Sequence, residues 1–132
     1  MILVDANVPM YLVGNDDALK HSARGLIEDA IADGEMLCTD AEVLQELMHR
    51  YVSINRREAI GPAFETLLDF VDVVYPVELA DVERAHRILL TSVSLSPRDA
   101  IHVAIMQGRD IGWIMSFDRA FDGIPGIVRL AG

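Results

Sequence analysis

The sequence predicts an α/β fold: a mainly parallel central sheet of about five strands, flanked by helices. Three observations carry that expectation. Short apolar runs alternate with longer amphipathic stretches. No repeat, linker or low-complexity segment interrupts the alternation. Acidic residues also recur just beyond the apolar runs, where open α/β sheets place their chemistry. At 132 residues the chain reads as a single domain, 1–132, long enough to bury one core.

Strands are predicted at Ile2–Asp5, Met36–Thr39, Val71–Tyr75, Trp113–Ser116 and Ile127–Leu130, the last after the turn signal Gly-Ile-Pro-Gly. Helices fill the gaps. Asn7–Val13 tolerates Pro9 in its first turn, and Lys20–Asp33 ends before Gly34, a residue suited to a helix C-terminus. Asp40–Val52 carries Val43, Leu44, Leu47, Met48 and Tyr51, spaced as one apolar stripe. Arg57–Phe70, Leu79–Ser92 and Pro97–Gln107 repeat that helical spacing.

Composition narrows the function. Hydrophobic residues make up 52% of the chain, which argues against disorder. No apolar run approaches the roughly 18 residues of a membrane span, and the first residues lack a secretory signal's basic segment. Cys38 is the sole cysteine and reads as a small buried strand residue, consistent with a reducing cytoplasm. A net charge of −10 argues against a protein that coats nucleic acid. It is compatible with a nuclease, whose centre is itself acidic.

Four acids stand at positions facing one edge of such a sheet: Asp5, Glu46, Asp99 and Asp118. Each has a plain structural explanation. Asp5 or Asn7 suits a helix cap, Glu46 pairs with Arg50 one turn on, Asp99 sits in a Ser96-Pro97 helix start, and Asp118 caps a short helix ended by Asp122. Glu42 shares the helix of Glu46 but points away from its apolar stripe. His102, one turn after Asp99, is placed to approach the same site but reads as a satisfied polar residue at the helix edge rather than a ligand. Together, however, four carboxylates in one pocket are expensive: two like charges 4 Å apart repel by about 4 kcal/mol at an effective dielectric near 20. A divalent cation removes that cost, and oxygen ligands select Mg²⁺ or Mn²⁺.

Other chemistries lack their motifs. There is no Gly-x-Gly-x-x-Gly, no Walker A loop, no Gly-x-Ser-x-Gly elbow and no Cys/His spacing for structural zinc. An aspartyl-phosphate enzyme would want a second Asp where Asn7 stands.

The order Leu-Val-Asp-Ala-Asn (3–7), Val-Leu-Gln-Glu-Leu (43–47), Ser-Pro-Arg-Asp-Ala-Ile-His (96–102) and Ser-Phe-Asp-Arg-Ala-Phe-Asp (116–122) resembles the PIN-domain ribonucleases. It is most similar to VapC-type toxins, along essentially the whole chain. The resemblance implies a three-layer PIN-like fold. It matches Asp5, Glu46, Asp99 and Asp118 to the family's acidic quartet and Asp122 to an additional carboxylate, with Asn7 and Ser116 as small polar neighbours. Glu42 stays open as the alternative to Glu46. It further implies a Mg²⁺- or Mn²⁺-dependent endoribonuclease, a homodimer, an RNA substrate and a VapB-like antitoxin. Arg98, Arg119 and the Asn55-Arg56-Arg57 cluster are candidates to hold RNA phosphates. The alternatives are a PIN-like binding module with little catalysis and a PIN nuclease outside toxin–antitoxin systems.

Overall fold

The computed structural model describes residues 1–131. Five strands form one sheet in the order β3-β2-β1-β4-β5: β1 (Ile2–Val4), β2 (Leu37–Asp40), β3 (Val73–Tyr75), β4 (Trp113–Met115) and β5 (Val128–Leu130). Every pairing is parallel, so the sheet expected to be mainly parallel is wholly so among the described strands. The three inner strands are largely buried on both faces, whereas edge strands β3 and β5 are partly exposed. Burial on both faces is why these strands read as continuous apolar runs rather than alternating patterns.

Six α-helices cover the sheet: α1 (Asn7–Val13), α2 (Asp17–Ala32), α3 (Ala41–Ser53), α4 (Ile60–Phe70), α5 (Leu79–Leu89) and α6 (Pro97–Gly108). Alternation along β1 divides the core between two layers. Ile2 and Val4 pack with Leu37, Ala23, Ile27, Val43, Leu47, Ala63 and Leu67, under α1–α4. Leu3 packs with Cys38, Ile114, Val103, Ile105 and Met106 on the α6 side, where Ile88 and Leu89 of α5 close the layer. The result is the anticipated three-layer arrangement, with Cys38 buried as expected.

Element ends differ from the sequence reading by a few residues, for local reasons. Helix α2 starts three residues early because Asp16 accepts the Leu19 N–H at 3.0 Å as its cap. It ends at Ala32, with Gly34 at a left-handed φ of 77° donating its N–H to Ile31. Arg57–Phe70 divides into a 3₁₀ turn, Arg57–Ala59, followed by α4. Helix α5 stops at Leu89, where the Thr91 and Ser92 N–H groups tighten onto the Ile88 carbonyl. Asp40 is the last residue of β2 as well as the cap of α3. No helix among the described residues is long and apolar enough to cross a membrane.

The sheet order positions the site. From central β1 the chain builds outward through β2 and β3, then returns by α6 to lay β4 on the other side of β1. The carboxyl ends of β1 and β4 therefore flank a topological switch point, where ligands of open α/β sheets bind. Asp5 and Ser116 stand there, each one residue past its strand.

Ile114 is wholly buried at the centre of this frame, so Ile114→Ala is expected to cost about 2–5 kcal/mol, read as a lower urea midpoint at unchanged slope.

Candidate metal centre

Asp5 leaves β1 into a network that holds its carboxylate rigidly. Its Oδ1 accepts the Ala6 N–H at 2.8 Å, and its Oδ2 accepts the Ser116 hydroxyl at 2.6 Å. Asn7 secures the same corner. Its Nδ2 donates to Ser116 Oγ at 3.2 Å and its Oδ1 accepts the Phe117 N–H at 3.2 Å, tying the end of β1 to the end of β4. The pair anticipated as small polar neighbours thus orients the first acid. Asp5 is 4% exposed, and burial pushes its pKa up to about 6. The charge of Glu46 adds to that rise, while His102 and the Ser116 and Ala6 donors oppose it.

Glu46 reaches the pocket from α3, held at the edge of the apolar stripe that buries Val43 and Leu47. Its Oε1 lies 2.7 Å from His102 Nε2, and the expected pairing with Arg50 is not among the described ion pairs. His102 is the largest departure from the sequence reading. Expected at the helix edge, it is wholly buried, because α6 is packed on all sides under the sheet and α5. Its partners do satisfy it. Nδ1 lies 2.7 Å from Asp40 Oδ2, and Nε2 is 3.8 Å from Asp5 Oδ1.

Carboxylates at 2.7 Å on both ring nitrogens favour the form of the imidazole that carries both protons. Burial opposes that charge, but Asp40, Glu46 and Asp5 outweigh it and raise the His102 pKa well above its ordinary value. Asp40 is itself buried, its Oδ1 capping α3 through the Val43 N–H at 2.9 Å. The sequence reading gave neither Asp40 nor His102 a role in the site. Their signals were the strand end before α3, parallel to that of Asp5, and the three-residue spacing from Asp99, which shares a helix face.

Asp99 and Asp118 form the rim. Asp99 lies in the first turn of α6, its N–H donating to the Ser96 hydroxyl at 3.2 Å as the helix-start signal implied. Burial raises its pKa, and the charges of Asp118 and Glu46 add to the rise against the Ser96 bond and His102. Asp118 is exposed and caps the short 3₁₀ turn Arg119–Phe121 through the Ala120 N–H at 2.9 Å. Its own N–H donates to Ser116 Oγ, linking it to the Asp5 network.

Of two further acids, Asp122 is paired away from the convergence and Glu42 stands at its edge. Asp122 gives both oxygens to Arg129, at 2.7 and 3.1 Å, and that guanidinium holds its pKa below the ordinary range. Arg129 also donates to the Ser116 carbonyl, so the pair braces the end of β4. Glu42, expected opposite the apolar stripe, has a side chain only 18% exposed, since the start of α6 places Arg98 Nε 3.8 Å from it. Burial raises its pKa.

Ligand atoms of Asp5, Glu46 and His102 all lie within 4.8 Å of one another. Around this trio Asp40, Glu42, Asp99 and Asp118 add negative charge, against which stand the imidazolium and Arg98. Hard oxygen donors in excess of their cations, with three carboxyls pushed upward by burial, form a donor set that fits a divalent metal. Of the arginines considered for phosphate, Arg56 is paired with Glu58 at 2.6 Å and Arg98 lies beside Glu42.

The crowding has a measurable sign. A carboxyl whose folded pKa exceeds its unfolded value destabilises the fold once it ionises, so the penalty grows as pH rises through 3.8 toward the raised value. In the absence of metal, Asp99→Asn is therefore expected to raise the melting temperature at pH 7, with the gain fading below about pH 4. A melting series from about pH 3 to about pH 8 in EDTA checks it. Conversely, Asp40→Ala breaks a buried pair with His102 and removes the cap of α3, and is expected to cost about 3–5 kcal/mol in urea unfolding.

Comparison with known proteins agrees with this geometry. The sequence profile of the PIN domain matches residues 2–127. Ribonuclease VapC13 of Mycobacterium tuberculosis is 57% identical over 99% of this chain and 100% of its own length. The crystal structure of M. tuberculosis VapC20, a Sarcin-Ricin loop cleaving toxin, covers all of both chains with a TM-score of 0.79 at 24% identity. That of VapBC2 from Rickettsia felis, bound to a promoter DNA fragment, covers 98% of both chains with a TM-score of 0.75 at 12% identity. The last two likenesses are of fold. A profile spanning nearly the whole chain and a full-length relative at this identity place the protein in the PIN-domain family, among the VapC ribonucleases.

Proposed function

We propose that this chain is the toxin of a VapBC-type pair, a Mg²⁺- or Mn²⁺-dependent endoribonuclease acting on RNA in the cytoplasm. The observation that carries the reading is the convergence of Asp5 and Glu46, with Asp99 and Asp118 on the rim, at the switch point of the sheet. These four acids would hold the metal. When bound, the ion supplies an activated water and offsets charge on the phosphate and leaving oxygen.

The protein's part is rigid placement. Asp5 is fixed by the Ser116 hydroxyl and the Ala6 N–H, so its oxygens present one orientation. Asp118 is held by its cap and by Ser116, and Asp99 by the first turn of α6. Asp122 assists from outside the pocket by gripping Arg129, which in turn holds the Ser116 carbonyl. Because the chain carries −10 overall, its contacts to RNA phosphates are few and local, with Arg119, exposed and next to Asp118 in sequence, a candidate. The VapB-like antitoxin and a homodimer complete the proposal. Exposed apolar side chains such as Leu79, Leu90 and Val93 leave surface for such partners.

Incubating the protein with structured RNAs in Mn²⁺ or EDTA, beside Asp5→Ala and Asp118→Ala, tests the reading. Loss of an outer-shell partner typically costs about 10–100-fold, so loss of a direct ligand is expected to cost at least about 100-fold. Cleavage that persists in EDTA or in both variants overturns it.

A further inference from the structure

Of the three side chains whose ligand atoms converge in the pocket, His102 alone is not a carboxylate, and it is wholly buried. Its surroundings differ from those of a histidine that merely fills a core. One ring nitrogen is occupied from outside the pocket: Asp40 Oδ2 lies 2.7 Å from Nδ1. Asp40 cannot turn away, because its Oδ1 caps α3 through Val43 and the residue is itself wholly buried. The Nδ1 proton is thereby held, and the other nitrogen is aimed at the acids. Nε2 stands 2.7 Å from Glu46 Oε1 and 3.8 Å from Asp5 Oδ1.

That disposition is the one found behind metal-ligating histidines, in which a carboxylate holds one ring N–H and the opposite nitrogen faces the ion. The spacing also suits it. The candidate ligand atoms of His102, Glu46 and Asp5 lie within 4.8 Å of one another, close enough for one cation to be shared. We infer that His102 is a direct nitrogen ligand of the metal, held by Asp40, and that this mixed nitrogen–oxygen centre favours Mn²⁺ over Mg²⁺.

His102 Nε2 would release its proton to solvent on taking the ion, Glu46 Oε1 would exchange its hydrogen bond for the same ion, and Nδ1–H would stay on Asp40. Imidazole suits the transition metals, whereas Mg²⁺ prefers oxygen and retained water, so replacing one oxygen ligand by nitrogen shifts selectivity. Asp40 is then a positioning residue that acts through His102. The inference rests on the metal-dependent reading of the same pocket, and the experiment separates the two.

Pulsed EPR of the wild-type protein loaded with Mn²⁺ is expected to show ¹⁴N coupling from a bound imidazole. Calorimetric titration with Mn²⁺ and with Mg²⁺ gives the second readout. Wild type is expected to bind Mn²⁺ more tightly. His102→Asn is expected to lose Mn²⁺ affinity by at least about 10-fold with little change for Mg²⁺, and Asp40→Asn to lose about 10–100-fold, again mainly for Mn²⁺. Mn²⁺ binding without ¹⁴N coupling overturns the nitrogen ligand and leaves the nuclease reading intact. Equal losses for both cations overturn it too, since a purely structural histidine would give that pattern. Binding of neither cation to the wild type overturns both. If His102→Asn fails to fold, the wild-type EPR spectrum decides alone.

Discussion

The organising constraint of this molecule is the electrostatic cost of gathering acids at one sheet edge. Asp5, Glu46, Asp99 and Asp118 approach one another at the carboxyl ends of β1 and β4, with Asp40 buried behind them. Burial and mutual repulsion raise the pKa of Asp5 and Asp99. Without a counter-charge such a cluster would drain a marginally stable fold. Before a cation binds, part of that charge is internal: protonated His102, clamped between Asp40 and Glu46. A bound cation would take over that role, and the stored repulsion would become binding free energy for it.

The fold makes the gathering possible by supplying rigidity at low cost. The acids, or the residues that hold them, sit at ends of regular elements whose other faces are committed to the core. Glu46 is one residue from Leu47, and His102 is flanked by Ile101 and Val103. A shift of the pocket would therefore disturb packing on both sides of the sheet. The corner formed by Asp5, Asn7 and Ser116 couples β1 to β4 by side chains beyond the point where their backbone ladder ends. The Asp122–Arg129 pair extends that bracing to β5, with Arg129 reaching back to the Ser116 carbonyl.

Membership of the VapC ribonucleases gives this arrangement its biological sense, since a toxin must be potent yet controllable. A pocket that is electrostatically unfavourable when empty of cations is sensitive to anything that alters its charge. The departure at His102 also distinguishes an all-oxygen centre from a mixed one. The two buried residues that bear on that difference in this chain, Asp40 and His102, lie outside the acidic quartet.

What the residues determined by themselves was local. Apolar runs marked every strand, and helical spacing, caps and turn residues marked every helix to within a few positions, because propensity, capping and periodicity act over a single turn. Ser96-Pro97 and Asp118 performed the capping their types implied. The family resemblance likewise named the four acids before any geometry was available. Three matters were decided only in three dimensions. His102 became a buried partner of Asp40 because two helices and a strand end, 62 residues apart in sequence, close over it. Glu42 lost its open face because the start of α6 came to rest beside α3. Asp122 was drawn to Arg129 by the docking of β5. Charge–charge energies depend on distance and burial, and chain spacing specifies neither across long loops; only the packed sheet sets them.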